Sequence, residues 1–465
     1  MTIATQNFPG IQTLAEKHNV EVSDIGEFNK SGYFEVVSGG KTVALLELDF
    51  LHDGCPVLNL ESNWSPAQIT MKTGKQPEHL GRVLLQLLKH PNISSREAII
   101  RQYDHEVRGQ SVIKPLMGPA QKAPCDAAVL LPRLTAELDR APALSVSNGI
   151  CPRLSEHDTY LMSICAVDEA VRNSVCVGAD PDTLSLLDNF CWPDPVYSAT
   201  NPQGKRILAE LVRSCQGLYD AVIAYGAPLI SGKDSMKNNF DDGVAKLAIP
   251  PTLLVSCIGR VPEARMAISM EFKKAGDLVY LLSAGLLGLT GSHYEELNGW
   301  QSIMLPELDL EKSPNLYRRL HSAIKSGWIK SAHDLSEGGL AVSVAECVIG
   351  SRLGARLDIA KYHKHLLGIY EKRGSNALKT FDFVIRPDSL IFGEGPGHIV
   401  VTIDKKRKDE FERLFEGFNV IPIGEVVTDQ SLLIIDSELP EAERELVSLS
   451  AEALKTAWET PLPFD

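Results

Sequence analysis

The chain has 465 residues, 44% of them apolar, and 46 Lys and Arg against 60 Asp and Glu give a formal net charge of -14 at pH 7. That length supplies about three domains at roughly 150 residues each and buries a sizeable core easily. The acidic balance and the lack of a Lys/Arg cluster argue against a nucleic-acid partner, and no apolar run approaches the roughly 18 residues of a membrane span.

A single nucleotide is not excluded by net charge, because a magnesium ion and backbone amides carry much of such binding. Nine cysteines are scattered without a CxxC pair or zinc-type His spacing, which reads as reduced, buried thiols in a cytoplasmic protein. The N-terminus lacks a basic region followed by an apolar core, so no targeting segment is expected.

In chain order, a short helical lead-in over residues 11–18 precedes NVEVSDIGEFNKSGYFEVV at 19–37, predicted as alternating short strands about an Asn/Lys/Ser/Gly turn. NVIPIGEVVTDQSLLIID at 419–436 has the same design and is read as an internal repeat. If the copies are equivalent, the chain begins inside a module whose front part lies elsewhere; the other reading is a chance likeness of two β-rich stretches. Residues 59–78 are linker-like, and 80–90 form an amphipathic helix stopped by Pro91 and Asn92. Strand and turn character follows, including 113–118 and 127–131.

A long helix is predicted over 158–177, with Glu169 and Asn173 at i and i+4 on one face. A carboxylate and an amide so placed can ligate one magnesium, or simply make an intrahelical contact. An apolar strand at 184–192 runs into Asp188 and Asn189, and a second helix at 203–225 leads to LISGKDSMKNN at 229–239. The SGKDS segment is predicted as a turn. It fails as a phosphate loop because position 227 is Ala where that motif needs Gly. Gly232 still lets backbone amides approach a ligand beside Lys233, Asp234 and Ser235; a polar hairpin is the alternative.

Strands are then expected at 252–259 and 277–283, a turn at 288–293 and a helix at 316–326. SAHDLSEGGLAVSVAE at 331–346 is a strand-to-helix turn whose amides suit a phosphate, with Asp334 placed to hold magnesium. The plain alternative is a helix capped by Ser336. LIFGEGPGHIVVTI at 390–403 is predicted as a glycine-rich turn between strands, and a helix at 408–415 precedes the second repeat copy. The order lacks regular βαβ alternation, which gives an α+β class.

Several motifs in this order carry a family resemblance: RQYDHEV (101–107), CDAAVL (125–130), VSNGICPR (146–153), LLDNFCWPDP (186–195), ISGKDSM (230–236), PPTLLVSCIGRV (250–261), GSHY (291–294), HDLSEGGLAV (333–342) and FGEGPGHIVV (392–401). They resemble the second half of the phosphoribosylformylglycinamidine synthases, in the superfamily of aminoimidazole ribonucleotide synthetase and selenophosphate synthetase. The resemblance implies an A-type domain (half of a β-barrel plus helices) followed by an α/β-sandwich B-type domain. It divides the chain into the tail of a first B-type domain (1–62), a linker (63–110), the A-type domain (111–260) and the B-type domain (261–465).

The implied reaction is ATP-dependent amidination of formylglycinamide ribonucleotide with ammonia from glutamine. The resemblance carries magnesium ligation onto Asp126, Glu169, Asn173 and Asp334, and ATP or ADP contacts onto Arg96, Cys125 and Ser336. In a catalytic site made mainly by the other half, Asp188, Gly232 and Ser235 are the residues lent by this chain. Lys233 and Asp234 depart from the Asn and apolar residue of short family members, and the turn 393–398 lacks their Ser and Arg. There is no GxCxG nucleophile elbow for a glutaminase, and Cys55 in DGCPV has the wrong context. The implied partners are the other synthetase half, a glutaminase subunit and a small bridging subunit. Two further readings stand beside this one: a scaffold or regulatory subunit holding a structural ADP and magnesium, and a stand-alone ATP-dependent enzyme of the superfamily, homodimeric through its A-type domain.

Overall fold

The computed structural model describes residues 1–66, 68–72, 74–132, 140–244, 246–373 and 385–460. It divides into two compact units, residues 1–60 and 61–465.

The first unit contains helix α1 (Phe8–Lys17), strands β1 (Tyr33–Ser38) and β2 (Lys41–Glu47), and helix α2 (Leu48–Asp53). Gly39 and Gly40, at φ +58° and +76°, turn the hairpin; two consecutive left-handed residues match the twist of paired strands. The strands predicted across 19–37 reduce to β1, and residues 20–29 carry no regular structure. Strand character needs a paired neighbour, and the sheet here has only two members.

The second unit opens with α3 (Leu80–Leu88) and α4 (Glu97–Ile100). A six-stranded sheet follows, built from β3 (Ser111–Ile113), β4 (Ala128–Leu130), β5 (Ala143–Ile150), β6 (Ser185–Cys191), β7 (Leu229–Ser235) and β10 (Thr252–Val261), with β8 (Asn239–Asp241) and β9 (Lys246–Ala248) as a side hairpin. Its order is β3-β4-β5-β10-β6-β7, antiparallel except for the parallel β6–β7 pair. Helices α5 (Thr159–Cys176) and α6 (Gly204–Tyr225) cover one face.

The alternation of β5 is unusual in what it buries: Ala143, Ser145 and Ser147 face inward while Leu144, Val146 and Ile150 are exposed. The close approach of α5 is the cause. A Cβ at Gly149 would lie 2.0 Å from the Ala166 carbonyl oxygen, so only small residues fit beneath the helix. The larger apolar side chains, with Leu130 and Ile258, are left on the uncovered face.

A seven-stranded sheet of β11 (Leu278–Ser283), β14 (Ile329–Asp334), β15 (Gly354–Asp358), β16 (His398–Ile403), β17 (Asn419–Val427), β18 (Ser431–Ile435) and β19 (Glu445–Ser450) runs in the order β14-β16-β11-β17-β15-β18-β19. Only β15 and β18 pair in parallel. Short strands β12 (Gly285–Leu286) and β13 (Glu307–Leu308) and helices α7 (His293–Asn298), α8 (Ser313–Lys325), α9 (Gly339–Ile349), α10 (Ala360–Arg373), α11 (Pro387–Phe392), α12 (Lys408–Leu414) and α13 (Ala451–Trp458) complete the unit. Along β11, Tyr280 and Leu282 enter one core and Val279 and Leu281 the other. The sheet is therefore covered on both faces, which is why every residue of β16, the polar His398 and Thr402 included, is buried.

Mixed, mainly antiparallel sheets with flanking helices make this an α+β fold. Two local expectations are corrected. The SGKDS segment is strand β7, because its main chain pairs with β6. Residues 390–392 close helix α11 rather than a strand; Pro387 starts that helix and supplies the φ a first turn needs. Among the described residues, no helix is long and apolar enough to cross a membrane.

Candidate nucleotide and metal site

The HDLSEGG stretch places Asp334 at the end of β14, beside the loop that carries Asp126 into β4. Asp126 Oδ1 accepts from the Asp334 amide at 2.9 Å and lies 2.9 Å from His333 Nδ1, while His333 Nε2 lies 3.0 Å from Glu346 Oε2 on α9. Burial alone would depress the His333 pKa, but the Asp126 charge and the hydrogen bonds to Asp126 and Glu346 hold it well above the usual value. Ligand atoms of Asp126, His333 and Asp334 lie within 4.8 Å of one another. Both imidazole nitrogens already have partners, so His333 orients Asp126 and the carboxylates remain the donors.

Glu169 and Asn173 do share a face of α5, and that face meets β5. Glu169 Oε2 accepts from the Ile150 amide at 2.8 Å, and Asn173 Nδ2 donates to the Asn148 carbonyl at 3.1 Å. Ser336 Oγ bridges the two elements, 2.5 Å from Asp334 Oδ2 and 3.3 Å from Glu169 Oε1. Ser336 is therefore not the cap of α9, whose N-cap is Gly338. Asp126 Oδ2 and Asn173 Oδ1 are buried without any hydrogen-bond partner. Two orphaned oxygens among clustered carboxylates fit a hard divalent cation such as magnesium. Burial, with Glu337 and Asp334 nearby, raises the Glu169 pKa well above the usual range.

A cavity of about 320 Å³ opens beside this cluster, and its lining includes Arg96, Arg153, Glu169, Ser336, Glu337 and Glu394. Arg96 and Ser336 thus meet in one cavity. Cys125 is not among its lining residues; burial, with Asp126 adding, pushes its thiol up to about 12. Burial also pushes Glu337 up to about 7, with His293 opposing and Glu394 adding.

Two of the amides at the start of α9 are already engaged within the protein. Gly338 N donates to Glu394 Oε1 at 2.7 Å, and Gly339 N donates to the Ser336 carbonyl at 3.1 Å. Glu394 also accepts from the His293 amide at 2.8 Å, tying the GSHY and GEGPGH turns together. Gly339 sits at φ +66°, and a Cβ there would come within 2.3 Å of the Gly393 carbonyl oxygen.

A buried hub fixes these parts. Asp168 accepts from Tyr225, Tyr317, the Gly397 amide and Arg172. Arg172 Nη2 then reaches Asp334 Oδ2 at 3.1 Å and the Leu335 carbonyl at 3.2 Å. The sequence did mark the stretches holding Glu394, Gly397 and His333 as motifs. It singled out neither Arg172 nor Asp168, which pair with each other at i and i+4 on α5 and whose other partners lie far along the chain.

Asp188, Gly232 and Ser235 lie together elsewhere, on the parallel pair β6–β7. Asp188 is opposite Gly232, and Cys191 is opposite Ser235. A Cβ at position 232 would lie 2.6 Å from Asp188 Oδ1, so glycine is what makes room for that carboxylate. Burial, with Asp234 adding, raises the Asp188 pKa, and Lys233 Nζ is hydrogen-bonded to Ser235 Oγ. None of the three lines the cavity; they stand on the edge strand of the sheet and its neighbour.

Family models agree with this architecture: the AIR synthase related N-terminal domain matches residues 125–261 and the C-terminal domain matches 274–436. The phosphoribosylformylglycinamidine synthase subunit PurL of Anaeromyxobacter dehalogenans is 29% identical over 461 residues, covering 97% of this chain and 55% of the relative. The Synechococcus subunit is 33% identical over 347 residues, covering 72% and 40%. Thermotoga maritima PurL in complex with ATP matches with a TM-score of 0.54 at 13% identity, covering 83% of this chain and 54% of that one. The PurLQS structure from the same organism matches at 0.57 and 13%, covering 83% and 53%; likenesses at such identity speak for the fold. The chain spans about half the length of the curated relatives it matches. With both of the family's domains present in order, the chain belongs to the AIR synthase related family and is similar to the PurL subunits within it.

Proposed function

We propose that the chain is a synthetase subunit of phosphoribosylformylglycinamidine synthase, active in the cytoplasm in purine biosynthesis and completed by a second synthetase half. The observation that carries this reading is the set of oxygens on Asp126, Glu169, Asn173 and Asp334, two of them orphaned, beside a cavity lined by Arg96 and Ser336. Similarity to PurL subunits over 97% of the chain supports it. Bound there, magnesium would neutralise nucleotide phosphates. Arg96 would meet phosphate charge, Ser336 would donate to it, and the Arg172 hub would keep Asp334 aimed at the cation.

The reaction is the ATP-dependent amidination of formylglycinamide ribonucleotide, with ammonia supplied by a glutaminase partner and a small bridging subunit assisting assembly. Asp188, Gly232 and Ser235 are lent to a site shared with the other half. The uncovered apolar face of Leu130, Leu144, Val146, Ile150 and Ile258 is where that half docks through its own sheet. The chain divides functionally at about 62, 110 and 260.

The test is purification of the full chain, denaturation, and assay of the released supernatant for adenine nucleotide and magnesium. Stoichiometric ADP or ATP is expected; an empty protein that also fails to bind added nucleotide refutes the site. A second reading, a scaffold with a structural nucleotide, is favoured by the separation of Asp188, Gly232 and Ser235 from the cavity. Turnover unchanged by Asp188→Asn or Ser235→Ala in the reconstituted complex would establish it over the first.

A further inference from the structure

We infer that one end of the seven-stranded sheet is a basic docking surface, and that its occupant is the acidic segment 438–445 of a second copy of the chain. The two copies then join head to tail.

Along the sequence, the run Asp404-Lys405-Lys406-Arg407-Lys408-Asp409-Glu410 is nearly balanced in charge. Folding tips the balance. Leu278 and Ile329 both pair with Ile403, so the ends of β11, β14 and β16 meet, and Lys274 and Lys330 join the run. The Lys406 amide, with the charges of Lys274, Lys406 and Lys330, holds the Asp404 pKa below the usual range, which places three cations around one carboxylate. Arg407 is committed to Glu410 at 3.0 Å, and Lys274 lies 3.8 Å from Asp404. Asp277, at 2% exposure, offers little charge to solvent. Lys405, Lys406 and Lys408 are exposed, and none of them enters an ion pair among the described residues.

The opposite corner of the same sheet carries the inverse pattern. Glu438, Glu441, Glu443 and Glu445 flank Arg444 along the segment that leads from β18 into β19, and all five are exposed. Glu438 lies 2.8 Å from Lys364, whereas Glu441, Glu443 and Glu445 enter no ion pair among the described residues. β19 is the edge strand farthest from β14. Pairing carried across β11, β17, β15 and β18 puts the β18–β19 connection at the strand ends opposite the basic cluster. Six strand spacings of about 4.8 Å separate the two edges by about 29 Å, several Debye lengths of about 8 Å. Neither cluster therefore neutralises the other within one copy.

Cations around a carboxylate at one corner match carboxylates around a cation at the other, and such matching fixes register between partners. A net charge of -14 makes copies repel in orientations that do not bring the two corners together. Nucleic acid is a poorer fit, because Asp404, Asp409 and Glu410 interrupt the cations that phosphates would need. Since the two surfaces differ, the contact is heterologous and can propagate. Exposed ion pairs are individually weak and screened by salt, so association is favoured by high chain concentration and low ionic strength. None of this depends on the nucleotide site.

The test is sedimentation velocity of the nuclease-treated full chain as salt is lowered from about 300 to about 30 mM. The average mass is expected to rise at least about twofold over its high-salt value. Lys405→Glu with Lys406→Glu should abolish the rise, and so should Glu441→Lys with Glu443→Lys, each at an unchanged thermal midpoint. Mixing the two double variants should restore it, because the acidified surface of one receives the basified segment of the other. No rise in the unaltered chain, a rise that persists in either double variant, or a mixture that stays dissociated overturns the inference. Association that does not weaken as salt is raised marks an apolar contact and overturns it too.

Discussion

Removing the Arg172 guanidinium is the sharpest probe of how the site is held. Arg172 is 2% exposed and bridges Asp168, which is fully buried, to Asp334. Arg172→Met keeps most of the side-chain length and leaves two carboxylates without their cation. Breaking a buried pair in this way costs about 3–5 kcal/mol. Asp168 keeps donors from Tyr225, Tyr317 and the Gly397 amide, and Arg172 Nε has no partner to lose, so the lower end applies. A loss of about 3 kcal/mol corresponds to a fall in Tm of about 3–4 °C for the unit 61–465, at roughly 2.1 cal/mol/K of unfolding entropy per residue. Calorimetry of the full chain reads this directly, with nucleotide binding measured on the same sample. Adding Asp168→Asn should recover at least about 1 kcal/mol relative to additivity, because one unpaired charge disappears. A drop below about 2 °C, or strict additivity, would refute the idea that this ion bridge secures the two domains and Asp334.

Three other outcomes are expected. Asp126→Asn keeps an acceptor for His333 and for the Asp334 amide but removes the charge that holds the His333 pKa up, so thermal stability at neutral pH should fall, and magnesium-dependent nucleotide affinity, read by calorimetric titration, should fall at least about tenfold. Gly339→Ala forces a side chain into the left-handed region and against the Gly393 carbonyl; a loss of at least about 2 kcal/mol is expected in thermal denaturation, and a neutral result would contradict the close approach. His398, buried, has its pKa depressed from 6.5 to about 4. The unfolded chain therefore binds the proton first, and stability is lost as pH falls from about 6.5 toward 4, by about 3 kcal/mol in all. Denaturation midpoints across that range should show this slope, and His398→Gln should flatten it.

The sequence by itself settled the elements whose signals are local. The apolar periodicity of 158–177 and 203–225 matches α5 and α6, the run at 252–259 lies in β10, and 331–346 is the strand-to-helix turn at β14 and α9. Glu169 and Asn173 were placed on one face by helix geometry alone, and the family motifs pointed to Asp126, Asp334, Arg96 and Ser336. The likeness between 19–37 and 419–436 was also visible there, although its strands were not: residues 20–29 form none without neighbours to pair with.

Tertiary structure decided what depends on distant pairing. The polar SGKDS segment became a strand because β6 offers it a ladder, against its turn-like composition. Glu394 occupies the amide at the start of α9, a contact across 56 residues, and Asp168 meets the Gly397 amide across 229. No local pattern encodes such contacts, since buried polar groups take whichever partners the fold brings near. The exposed face of β5 is likewise a tertiary outcome: the closeness of α5 leaves room only for small residues beneath it and turns the Leu and Val positions outward.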